Sequence, residues 1–148
     1  MTRNENKQLS LGIDVGSTTV KVVLLEGEEI LYQEYQRHMS QVRQKTLELL
    51  QQAAPFIGDR PFTVALSGSA GLGLAESVGI PFVQEVFATG EVVKRLEPDT
   101  SAVIELGGED AKIIFFDGGM EERMNGSCAG GTGAFIDQMA TLMNVTVN

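Results

Sequence analysis

Hydrophobic residues recur at two different spacings along this chain, and each spacing predicts a type of element. Alternating or short apolar runs predict strands at residues 9–14, 20–25, 30–36, 62–66, 80–84, 102–106 and 112–116. Helical spacing covers residues 41–54 and 89–96, a short segment that ends at 76, and a segment carrying Phe135, Met139 and Leu142. Strands and helices mixed in this order predict an α/β fold.

Local signals predict where several of these elements end. Ser40 can cap the helix over 41–54, and Pro55 marks its stop. Residues 1–8 are polar and are predicted to fray. Lone His38 has no partner at a recognisable spacing, so a position on the surface is predicted for it.

One pattern occurs twice: an acid, an apolar residue, a glycine, small or polar residues, and a lysine. It runs from Asp14 to Lys21 and again from Glu105 to Lys112, each time at the turn between two predicted strands. Glycine lets the backbone come close to a phosphate and aim amide donors at it. Either segment alone is more often a simple hairpin turn. Two such hairpins, facing each other across a cleft, can hold the phosphates of a nucleotide and a hydrated Mg²⁺.

Cys128 is the only cysteine, and it lies in a run of small residues just before the last predicted helix. A thiol at a helix N-terminus feels the positive end of the helix dipole, which favours the thiolate, the form that binds metal. The alternative is a small buried hydrophobic residue.

The composition, with 43% hydrophobic and 21% charged residues, is ordinary for a globular protein. Its formal net charge of −9 argues against binding to nucleic acid or to a membrane surface. One cysteine cannot form an internal disulfide, the start lacks the apolar core of a signal peptide, and no apolar run approaches bilayer length. A cytoplasmic location is therefore predicted. Seventeen glycines cluster at predicted strand ends, among them 68–73, which indicates tight turns.

Three segments, 11–21, 104–112 and 124–135, resemble the activators of 2-hydroxyacyl-CoA dehydratases and the related ATPase subunits of benzoyl-CoA reductases, the BadF/BadG/BcrA/BcrD-type ATPases. These belong to the superfamily of sugar kinases, heat-shock-70 proteins and actin. The resemblance implies a ribonuclease H-like, actin-type ATPase fold, in which a mixed sheet is flanked by helices. Residues 1–100 would form the first lobe with phosphate loop 1, and 101–148 the start of the second lobe with phosphate loop 2 and Cys128. The chain is thus expected to be an N-terminal fragment.

In this family ATP turnover drives a low-potential electron from a [4Fe-4S] cluster, held between the subunits of a dimer, into a partner dehydratase. The resemblance implies ATP and Mg²⁺ as cofactors and ferredoxin or flavodoxin as electron donor. The fragment alone is expected to be inactive and to lack a stable cluster. The implied site residues are Asp14, Glu105 and Asp110 for catalysis, Gly16, Ser17, Thr18, Thr19, Lys21, Gly107 and Gly108 for the nucleotide, Asp14 for Mg²⁺ through water, and Cys128 for the cluster.

Three positions depart from the pattern of the small dimeric activators. Glu105 and Glu109 stand where those have Asp and Gln, and Gly130 stands where they repeat Ala, which is closer to activator-like segments of long fused proteins. Two other functions remain open. One is a phosphotransferase, such as a sugar or acyl kinase, with Glu105 or Asp110 as base. The other is a non-catalytic lobe with Cys128 buried.

Overall fold

A computed structural model describes residues 8–124 and 132–146 of this chain. Residues 1–7, which are predicted to fray, and Cys128 lie outside these ranges. The chain forms two compact units, Met1–Val83 and Gln84–Asn148. The functional division into lobes after residue 100 stays a prediction.

The first unit is built on a mixed four-stranded sheet. Its strands are β1 (Leu9–Val15), β2 (Thr19–Glu26), β3 (Glu29–Arg37) and β4 (Phe62–Ser67), in the order β3-β2-β1-β4. Strand β1 pairs antiparallel with β2 and parallel with β4. Its alternate residues from Leu9 to Val15 are buried, as the period of two in a strand requires. This confirms the predicted mixed sheet.

Two helices belong to this unit, α1 (Val42–Ile57) and α2 (Gly71–Val78). Leu49 and Ala53 of α1 are fully buried in the same core cluster as the alternate residues of β1 and β2. Complete burial of a leucine side chain stabilises a fold by about 2 kcal/mol, so α1 is held mainly by this apolar stripe.

The predicted limits of α1 are wrong at both ends. Pro55 lies inside the helix, which continues to Ile57 and ends at Gly58, where φ is +60° and the N–H donates to the oxygen of Ala54. A proline in the last turn removes a single hydrogen bond, so the helix can pass it. Gln41, not Ser40, is the N-cap, and it makes no side-chain capping bond. Ser40 itself has a φ of 64°, in the left-handed region.

The strand predicted at 80–84 is reduced to one isolated parallel bridge between Leu66 and Phe82. A single bridge fixes the chain beside β4 without extending the sheet. Helix α2 runs two residues further than predicted and ends at Gly79, which adopts the left-handed conformation usual after a helix.

The second unit combines an antiparallel three-stranded sheet with helices. Its elements are α3 (Glu85–Leu96), β5 (Ala102–Leu106), β6 (Ala111–Phe115), β7 (Glu121–Met124) and α4 (Gly133–Met143), with the strand order β5-β6-β7. Helix α3 begins one turn earlier than predicted. In α4 the buried residue is Ala140, while Phe135 and Leu142 of the predicted apolar face are exposed. Within the described ranges, no helix is long and apolar enough to cross a membrane.

Candidate functional site

The two repeated sequence patterns form the same cross-strand pair in different units. Asp14 of β1 lies directly opposite Lys21 of β2, and Glu105 of β5 lies directly opposite Lys112 of β6. Each hairpin therefore places an acid beside a lysine at the base of its loop. The structure brings the predicted residues of each loop together, within its own unit.

The two loops are also closed by equivalent main-chain hydrogen bonds. Loop 1 is residues 16–18, between β1 and β2, and loop 2 is residues 107–110, between β5 and β6. At loop 1 the N–H of Gly16 donates to the oxygen of Thr19 at 2.9 Å, and at loop 2 the N–H of Gly107 donates to the oxygen of Asp110 at 2.8 Å. Together with the paired strands, this bond makes the hairpins two copies of one backbone device. Repeated sequence has thus produced repeated geometry.

Asp14 combines a paired and an unpaired carboxylate oxygen. Its Oδ2 lies 2.6 Å from Nζ of Lys21, in an ion pair that is partly exposed. Its Oδ1 is buried, and among the described residues it has no hydrogen-bond partner. An unpaired buried oxygen is costly, so this atom fits a hydrated cation or another donor. No group of three or more His, Cys, Asp or Glu side chains in the described ranges is placed to hold a metal ion directly.

Gly68 lies against this carboxylate, a contact that the repeated motif does not predict. Its φ is +95°, and a Cβ there would overlap the carbonyl group of Val15 and lie 2.5 Å from Oδ1 of Asp14. The oxygen of Val15 also accepts the N–H of Ala70 at 2.9 Å, just before α2 begins. Only glycine lets the chain after β4 pass this close to the end of β1. The glycine cluster at 68–73 is the sequence feature that could have indicated this close approach.

His38 is buried, so the prediction that it lies on the surface is wrong. Only 6% of its surface is exposed, and its Nε2 lies 3.1 Å from the oxygen of Gly16. Its main-chain N–H donates to the oxygen of Thr18 at 3.1 Å. Sequence spacing does not reveal this residue because it reaches loop 1 from the far end of β3.

Loop 1 presents side chains of graded exposure. Ser17 is exposed, Thr18 is half-buried, and Thr19 is buried at the start of β2. Ser17 and Thr18 are therefore accessible to a ligand, whereas the Thr19 side chain is part of the fold.

Lys112 is the centre of a charged cluster under loop 2. Its side chain is 7% exposed, and Nζ is bonded to Glu85 and lies 3.7 Å from Glu105 and 3.9 Å from Asp110. Burial by itself lowers the pKa of Lys112, but the hydrogen bond to Glu85 and the charges of the three carboxylates together raise it above its ordinary value. Sequence reasoning missed Glu85 because it reaches the cluster from α3.

Loop 2 is bonded to the start of α4. The N–H groups of Gly133 and Ala134 donate to the oxygens of Gly107 at 2.8 Å and Gly108 at 3.2 Å. The N-cap Thr132 is fully buried, and its Oγ1 has no hydrogen-bond partner in the described part of the chain. Two of the free N–H groups at the helix start are therefore taken by loop 2. Cys128 precedes this helix start but lies outside the described residues, so its predicted role is untested.

Comparison with known proteins identifies relatives along nearly the whole chain. The model of the BadF/BadG/BcrA/BcrD ATPase family matches residues 11–148. The (R)-2-hydroxyglutaryl-CoA dehydratase activating ATPase of Acidaminococcus fermentans is 32% identical over 145 residues, covering 94% of this chain and 55% of the relative. The activator of lactoyl-CoA dehydratase of Anaerotignum propionicum is 30% identical, with 94% and 55% covered.

The fold is likewise similar to a solved activator. The activator of the 2-hydroxyisocaproyl-CoA dehydratase from Clostridium difficile, with bound ADPNP, matches with a TM-score of 0.77 and 28% identity, covering 94% of this chain and 53% of that one. This confirms the actin-type ATPase fold predicted from the sequence. The chain spans about half the length of the relatives it matches.

Proposed function

The chain belongs to the BadF/BadG/BcrA/BcrD ATPase family, and on that premise we propose that its full-length protein is an ATP-hydrolysing activator. It passes a low-potential electron from a [4Fe-4S] cluster to a 2-hydroxyacyl-CoA dehydratase or a similar reductase component. The relatives named as activators of such dehydratases support the partner class.

The observation that carries this proposal is the duplicated hairpin. Each copy has a closed glycine loop, an acid and a lysine in the same register. In the proposed complex, Gly16 and the three residues after it contact the phosphates, while Gly107 and Gly108 form the second half of the phosphate site. Bound ATP supplies the free energy, and the two loops are its two points of attachment.

Asp14 is the residue whose geometry fits Mg²⁺. Its buried Oδ1 lacks a partner within the described ranges, so it can accept a hydrogen bond from a water on the ion. Lys21 holds the other oxygen and keeps the carboxylate in one orientation. The ion, when bound, neutralises phosphate charge, and Asp14 keeps its hydration shell in place.

The bonds between loop 2 and α4 support a coupling between nucleotide and cluster. Gly107 and Gly108 contact phosphate in the proposed complex, and their carbonyl oxygens hold the amides of Gly133 and Ala134. A shift of loop 2 on hydrolysis would therefore move the start of α4, and with it the segment that carries Cys128. We propose that this is how ATP turnover reaches the cluster ligand.

The remaining components follow from the family assignment. The full-length protein is proposed to be a cytoplasmic homodimer whose two subunits share the cluster, with Cys128 as a ligand from each. Ferredoxin or flavodoxin is the proposed electron donor. Mg²⁺-ATP and the cluster are the proposed cofactors.

The test compares full-length wild type with Cys128→Ala, both purified without oxygen. Iron, acid-labile sulfide, ATP hydrolysis and ATP-dependent reduction of a dehydratase are measured. We expect Cys128→Ala to lose iron and electron transfer but to bind nucleotide, because Cys128 is outside both loops. Unchanged iron content in the variant would refute its role as a ligand. Phosphoryl transfer to a sugar or acyl acceptor would instead support a kinase. Absence of nucleotide binding would support a non-catalytic lobe.

A further inference from the structure

We infer that His38 is a positioning residue for phosphate loop 1, which it locks in the conformation that presents amide donors to a phosphate. The lock is formed by the protein's own residues, and its consequence for nucleotide affinity rests on the proposed function. No position in the repeated motif includes this histidine.

His38 holds two carbonyl groups of the loop at once. Its ring Nε2 contacts the oxygen of Gly16, and its main-chain N–H donates to the oxygen of Thr18, both at 3.1 Å. In a planar trans peptide the N–H points opposite to the C=O. The peptides that follow Gly16 and Thr18 therefore turn the N–H groups of Ser17 and Thr19 away from His38. Oriented amides of this kind form the anion-binding nests of phosphate loops.

The hydrogen bonds of the ring define its tautomer. The N–H of Ser40 donates to Nδ1 at 3.1 Å, so Nδ1 carries no proton and acts as an acceptor. In the neutral ring the proton is then on Nε2, which donates to the oxygen of Gly16. Both ring nitrogens are used, one to hold the loop and the other to hold the turn.

The turn after β3 is built to keep the ring in place. Met39 and Ser40 have φ values of 47° and 64°, a left-handed conformation that residues other than glycine rarely adopt. The oxygen of His38 accepts the N–H of Gln41 at 2.7 Å, just before α1 begins. Strained backbone of this kind persists only where its surroundings enforce it, and it clusters at functional sites. Here it directs a buried ring at loop 1.

Two substitutions separate the two ring contacts. His38→Gln places an amide donor near the position of Nε2, so it keeps the bond to Gly16 and loses the one to Ser40. His38→Asn places an acceptor near the position of Nδ1, so it keeps the bond to Ser40 and loses the one to Gly16. Each loses one hydrogen bond, and we expect similar falls in melting temperature.

The nucleotide readout uses the full-length protein and a non-hydrolysable ATP analogue with Mg²⁺, measured by titration calorimetry. We expect His38→Asn to bind about tenfold more weakly than wild type, the equivalent of one hydrogen bond, and His38→Gln within about twofold. Unchanged nucleotide affinity in His38→Asn would overturn the positioning role. So would a loss of affinity in each variant that is proportional to its loss of melting temperature.

The lock itself is measured without nucleotide by ¹⁵N NMR. We expect the ring proton of wild type on Nε2, and lower backbone ¹⁵N order parameters at Ser17 and Thr19 in His38→Asn than in His38→Gln. A proton on Nδ1, or equal order parameters in the two variants, would refute the lock. If wild type fails to bind the analogue while these signals are as expected, the proposed function fails and the lock stands.

Discussion

Gly68→Ala tests whether the space beside Asp14 depends on a missing side chain. The added Cβ would overlap the carbonyl group of Val15 and lie 2.5 Å from Oδ1 of Asp14. Because the Val15 carbonyl belongs to the backbone of β1 and accepts the N–H of Ala70, it cannot rotate away. Either β1 or the chain before α2 has to shift.

Two costs add at this position. A non-glycine residue with positive φ costs about 1–2 kcal/mol, and the φ of +95° at Gly68 lies beyond the usual left-handed region. Overpacking adds about 1–3 kcal/mol, with the upper end expected where the obstacle is backbone. Gly68→Ala is therefore expected to lower the free energy of unfolding by about 3–5 kcal/mol.

Gly79→Ala is the matched control, since Gly79 has a φ of +68° and nothing lies within 4 Å of its added Cβ. It carries the backbone cost alone, about 1–2 kcal/mol. Urea unfolding, followed by far-UV circular dichroism because the chain has no Trp, gives both values. If Gly68→Ala is destabilised no more than Gly79→Ala, the close approach of Gly68 to β1 is wrong.

Two further substitutions test the second unit. Lys112→Met should lower the free energy of unfolding by about 2–3 kcal/mol, less than for a fully buried pair because the three carboxylates are partly exposed. Lys112 has a raised pKa, so its contribution is complete below its ordinary value of 10.5 and disappears as pH rises through the higher folded value, where variant and wild type converge. Gly107→Val should weaken nucleotide binding by full-length protein, because its Cβ would overlap the Asp110 carboxylate and lie 3.1 Å from the Asp110 carbonyl oxygen.

Each of these has a control within the chain. Lys94→Met removes an exposed lysine 3.7 Å from Glu91, and its effect should stay below about 1 kcal/mol. An equal loss in both lysine variants would contradict the buried cluster. Gly73→Val is the control for Gly107→Val, because nothing lies within 4 Å of a Cβ added at Gly73. If Gly107→Val bound and hydrolysed ATP like wild type, loop 2 would be misassigned.

Local sequence was sufficient for strands β1 to β6 and for the repeated motif, but not for the limits of α1 and α3 or for the structure of residues 80–84. The apolar residues at every second position of β1 all lie on one side of the strand, because successive side chains point to opposite sides. The strand and its buried side are therefore encoded in seven consecutive residues. The repeated acid, glycine and lysine pattern predicted two equivalent hairpins, and the pairs Asp14–Lys21 and Glu105–Lys112 have the same register. Both patterns act over a few residues, where the chain has little freedom.

The tertiary structure determined what surrounds the motif, because those contacts join residues that are far apart in sequence. His38 reaches Gly16 from the end of β3, and Glu85 reaches Lys112 from α3. No periodicity marks such partners, since a hydrogen bond depends on where a folded element ends. The helix start at Gly133 likewise depends on a carbonyl supplied by loop 2. The sequence by itself determined the two loops, and packing determined how each loop is held.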